Sequence, residues 1–104
     1  MNDVNRVVVT GLGAVTPVGH TAAAYWDNLK QGVCGIGPIT LTQTPEELSQ
    51  KVAAEVKDFA PLKHFEEREL STLDRVSQLA VVAAREAIAQ AAITVTSLSR
   101  SSRV

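Results

Sequence analysis

The chain has 104 residues, 45% of them hydrophobic and 20% charged, with ten Lys and Arg against eleven Asp and Glu for a net charge of −1. That is enough chain for one modest domain, too apolar for wholesale disorder, and without the basic excess that attracts nucleic acid or anionic lipid. No window approaches the roughly 18 apolar residues of a membrane span, the start MNDVNRVVV lacks a secretory-signal pattern, and the single cysteine closes no internal disulfide, so a cytoplasmic protein is expected.

The elements follow in chain order. Arg6–Thr10, with its run of three valines, predicts a short strand buried on both faces, as in a parallel sheet covered by helices. A glycine turn follows. Thr21 is a suitable N-cap for a helix over Ala22–Gln31, with Trp26, Leu29 and Val33 spaced for one face and Gly32 placed to stop it. Gly35, Gly37, Pro38 and Pro45 make Val33–Pro45 a predicted loop. Lys51–Val56 alternates, with Val52, Ala54 and Val56 on one side, and predicts a half-exposed strand ended by a turn over Asp58–Pro61.

The strongest helical pattern is LDRVSQLAVVAAREAIAQAA, in which Val76, Leu79, Ala80, Ala83, Ala87, Ile88 and Ala91 recur at steps of three and four. Its alanines imply close approach of a neighbour. Val81 and Val82 add apolar surface beyond that stripe, so the helix is expected to be contacted on more than one side. Two strands and two helices hardly supply that many contacts, and the core looks incomplete. The final stretch, ITVTSLSRSSRV, turns to Ser, Thr and Arg and predicts a frayed tail or a strand without neighbours.

VVVTGLGAVTPVG, Val7–Gly19, invites comparison with a dinucleotide loop, which needs G-x-G-x-x-G directly between strand and helix so that backbone N–H groups face a pyrophosphate. Here Thr16 stands in place of the third glycine and Pro17 removes an N–H donor. The helix starts near Thr21, too late to aim its N-terminus at a phosphate. Nor does an acidic residue stand where a ribose partner belongs, since Glu46 and Glu47 fall in a loop or short helical turn. Gly11 and Gly13 are therefore expected to serve a structural turn, allowing backbone angles or packing that a side chain would block.

Taken together, the chain resembles the beta-ketoacyl-[acyl-carrier-protein] synthases, the condensing enzymes of fatty acid and polyketide synthesis, and most closely their elongating type II members. The resemblance rests on RVVVTGLGAVTPVG, on W-x-x-L-x-x-G at Trp26, Leu29 and Gly32 running into GIGPIT, on AAEVKDF at Ala53–Phe59, and on LDRVSQLAVVAAREAI. It covers nearly everything from Arg6 to about Ala92. It implies an α/β chain, the incomplete N-terminal portion of a thiolase-like fold, and makes the glycine stretch the first strand-to-helix turn of that fold. For the family it implies a cysteine nucleophile that takes an acyl chain from acyl carrier protein. A malonyl unit then loses carbon dioxide and attacks the thioester, served by two histidines and by backbone donors at the nucleophile and oxyanion.

One cysteine and two histidines occur here too, but in the family the nucleophile and both histidines lie well C-terminal of the region covered. Cys34, just after the first helix, stands where the family commonly has a small residue and has no predicted helix start beside it, so a packing or loop role is expected. His20 precedes the helix cap and His64 lies in KHFEERE; both are expected as solvated surface or turn residues, without the ligand spacing of a metal site. Asp74 is expected as a cap and Arg75 as a salt-bridge or interface residue. Lys63, Glu66, Glu67, Arg68 and Glu69 form a mixed charge run expected on a solvated face. The sequence therefore nominates no catalytic, cofactor-binding or metal-binding residue and no cofactor.

After about Ala92 the family would continue through a polar linker into another buried strand, whereas residues 93–104 diverge. The division expected is 1–92 as the N-terminal portion of a synthase domain and 93–104 as a Ser/Arg-rich tail, from truncation, a frameshift or a gene fragment. The expected function is that of a 3-oxoacyl-[acyl-carrier-protein] synthase fragment inactive by itself. For the full-length family, acyl carrier protein and a homodimer partner are implied. The isolated chain is expected to self-associate or to be unstable. The alternative is a stand-alone interaction module that docks on a full-length synthase or on a carrier protein.

Overall fold

A computed structural model describes residues 5–40 and 49–93. Glu46, Glu47, Pro45 and nearly all of the Ser/Arg-rich end lie outside the described residues. Within them the order is helix α1 (Ala22–Lys30), strand β1 (Ile36–Pro38), strand β2 (Val52–Ala54), a 3-10 turn (Pro61–Lys63), short helix α2 (Glu67–Leu70) and helix α3 (Arg75–Ala91). The chain is a small α/β assembly with a two-stranded sheet.

The helix boundaries follow from local chemistry. Thr21 is extended (φ −137°, ψ 162°) and its hydroxyl accepts from the Ala24 N–H, satisfying one of the donors that a helix start leaves open. Past the C-terminal end, Gly32 takes φ +75°, which glycine adopts without Cβ strain. Asp74 caps α3 by accepting from the Ser77 N–H at 2.8 Å, and α3 closes on Ala92 in the left-handed region (φ 56°, ψ 39°). Glu66 and Glu69 form a reciprocal capping box at α2.

Two strand expectations need correction. Val33–Pro45 is not all loop: Ile36, Gly37 and Pro38 pair antiparallel with Ala54, Ala53 and Val52, and the Ile39 N–H extends the ladder to the Lys51 carbonyl at 3.1 Å. Gly and Pro are poor strand formers, but Pro38 occupies the end of an edge strand, where a missing donor costs little. Arg6–Thr10, conversely, belongs to no strand among the described residues. Val7, Val8 and Val9 are 94%, 63% and 78% exposed; β propensity is realised only against a neighbouring backbone and a covering layer, and neither stands beside them here.

The core is small for the same reason. Phe59 and Phe65 are its buried hydrophobic residues among those described, at 9% and 5% exposure. Trp26, Leu29 and Val33 do not line a buried face of α1, and Val76 on α3 is exposed as well. Amphipathic stripes hide apolar surface only when an opposing element covers them.

Candidate functional site

The glycine turn is anchored on α3. Placing a Cβ on Gly11 would put it 2.0 Å from the Ala87 carbonyl oxygen, and one on Gly13 would lie 1.8 Å from that of Ala83. Those glycines are there for close approach, and the alanines of α3 supply the flat surface they meet. Two α3 side chains then occupy the turn's donors. The Leu12 N–H donates to Gln90 Oε1, and the Ala14 N–H donates to Glu86 Oε1 at 2.9 Å. Glu86 also accepts from the Ala22 N–H through both oxygens, at 3.2 and 3.0 Å. One carboxylate thus holds both the turn and the first N–H of α1, where negative charge suits the helix dipole. The Leu12 and Ala14 N–H groups, donors that a phosphate cradle would use, are taken by the protein itself.

Between these anchors, Thr16–Gly19 closes a tight turn. Thr16 Oγ1 accepts from the Val18 and Gly19 N–H groups at 3.1 and 3.0 Å, and the Thr16 N–H donates to the Gly19 carbonyl at 2.8 Å. A Cβ on Gly19 would come 2.6 Å from the Tyr25 nitrogen, so the turn can fold back onto α1 only without a side chain there. Asn28 secures the fold-back by donating to the Val18 carbonyl.

The two histidines meet at Phe59. His64 stacks on its ring with centroids 5.4 Å apart and planes 9° from parallel; His20 approaches edge-on at 6.3 Å. The Arg75 guanidinium carbon lies 5.1 Å from the same ring centroid, and Arg75 also donates to the Val56 carbonyl at 3.3 Å. His20 Nε2 lies 2.6 Å from the Lys57 carbonyl, which only accepts, so that nitrogen carries the hydrogen. Arg85 repeats the arrangement below, 4.8 Å from the Phe65 centroid and donating to the His64 carbonyl at 2.7 Å. The histidines sit at turns as expected, His64 exposed and His20 half-buried, and each also packs one ring face or edge on Phe59, a contact that no local pattern foretold. His20 and Phe59 are 39 positions apart, and only tertiary folding brings them together.

Cys34 follows the C-terminal end of α1, the end that presents carbonyl oxygens rather than N–H groups. Its thiol is exposed, lies 3.9 Å from the Ile36 carbonyl, and borders a cleft of ≈ 430 Å³ shared with Pro17, Tyr25, Leu29 and Ile36. Among the described residues it makes no hydrogen bond to either histidine. A second cleft, of ≈ 500 Å³, runs between the sheet and Phe59 with Lys57, Asp58 and Arg75 at its wall. Lys57 Nζ donates to the Gly35 carbonyl at 3.0 Å. Among the described residues no three His, Cys, Asp or Glu side chains are grouped to hold a metal ion, and no helix is long and apolar enough to cross a membrane. Hydrogen bonds from the Ser77 side chain and then its backbone N–H hold the Asp74 carboxyl below the ordinary carboxylate range. In the charge run, Arg68 pairs with Glu66 at 2.9 Å on the surface.

Glu86 and Gln90 are the residues that pattern reading passed over. A signal was there: Glu86 stands inside the alanine stripe between Ala83 and Ala87, where a carboxylate needs donors from whatever packs on it.

These parts define a segment of α/β scaffold whose glycine turn is docked and hydrogen-bonded to an alanine-rich helix. The chain belongs to the beta-ketoacyl synthase family: the family's N-terminal domain, described as "Beta-ketoacyl synthase, N-terminal domain", matches residues 4–104. It is 41% identical over 93 residues to 3-oxoacyl-[acyl-carrier-protein] synthase 2 of Synechocystis, covering 89% of this chain and 22% of that protein. To the synthase of the same name in Staphylococcus aureus strain COL it is 42% identical over 91 residues, covering 88% of this chain and 22% of the relative. The chain thus spans about a fifth of the length of these relatives.

Proposed function

We propose that this chain is the N-terminal portion of a 3-oxoacyl-[acyl-carrier-protein] synthase and acts as framework, holding none of the groups that react. The observation that carries this is the family match over residues 4–104 joined to a span of only 22% of each of two synthases. The whole enzyme condenses an acyl thioester with a malonyl unit on acyl carrier protein, with loss of carbon dioxide, in fatty acid biosynthesis. Acyl carrier protein is its partner, it works as a homodimer with a thiolase-like fold, and it resides in the cytoplasm.

The chain's own residues support a framework role. Glu86 and the two glycines fix the turn, the Phe59 hub fixes the segment before α2, and Cys34 follows the C-terminal end of α1 in sequence. Helix α3 stops at Ala92 in the left-handed region, and the family match runs on to residue 104. No observation favours a self-contained docking module.

A chimaera tests this directly. Residues 5–93 of this chain replace their counterpart in the Synechocystis synthase, and condensation of a malonyl thioester is measured for the chimaera and for the 104-residue chain. The chimaera is expected to retain activity and the chain alone to have none. Turnover by the chain alone, abolished by Cys34→Ala, overturns the proposal, as does a folded but inactive chimaera.

A further inference from the structure

We draw no further inference here: the strongest candidate, the exposed apolar edge formed by Val7, Val8, Val9 and Leu12 in the segment before α1, carries nothing because nothing in the structure shows what covers it.

Discussion

Glu86→Ala should release the glycine turn and the start of α1 together. The wild-type carboxylate accepts from the Ala14 N–H at 2.9 Å and from the Ala22 N–H at 3.0 and 3.2 Å, at a part-buried position. A hydrogen bond to a charged group contributes roughly 1.5–3 kcal/mol where water is excluded. Water can reach this site in part, so about 2 kcal/mol is a reasonable total for both donors. At about 1.4 kcal/mol per factor of ten, that speeds local opening roughly 30-fold.

The assay is amide hydrogen exchange followed by NMR on the 104-residue chain, reading Ala14 and Ala22, with the Ile39 amide of the sheet as an internal control. Glu86→Gln keeps one neutral acceptor, worth about 1 kcal/mol, and should cost only about 5-fold. If Ala14 and Ala22 exchange within twofold of wild type in Glu86→Ala while Ile39 is also unchanged, the carboxylate does not hold the turn. The account of how the segment docks then fails.

Further expectations follow from the same geometry. Gly13→Ala puts a methyl against the Ala83 backbone, an overlap no rotamer relieves, and should cost about 1–3 kcal/mol or more. Gly37→Ala meets open space and should be nearly neutral, so comparable soluble yields for the two variants would refute the close-approach role. Because the Asp74 carboxyl is held low, its cap is fully effective above the ordinary value of 3.8 and is lost as pH falls through the lower folded value. Helical circular dichroism should therefore drop at the acid end, and Asp74→Asn, which caps without titrating, should flatten that drop; an unchanged profile would contradict the cap's contribution. With Val7–Val9, Trp26, Leu62 and Val76 exposed, the isolated chain should melt broadly and scatter light more as its concentration rises. A sharp two-state transition from a clean monomer would argue against the incomplete core.

The sequence by itself determined what depends on neighbours along the chain. Thr21 and Asp74 announce helix starts because a cap acts within three residues, and Gly32 announces a stop because only its own φ is at issue. The α3 repeat sets the helix because its period is a local property, and the alanines told of a close neighbour without saying which. Four motifs in order made the family legible as well, since resemblance needs only the order of residues. Tertiary structure alone decided the rest. It paired Gly-rich Ile36–Pro38 with Val52–Ala54 against propensity, because a ladder is set by the partner's backbone. It left Val7–Val9 unpaired for want of such a partner. It turned Glu86 inward to the turn and gathered His20, His64 and Arg75 around Phe59, because carboxylates and rings take their roles from whatever folding places within a few ångströms, and that distance has no counterpart along the chain.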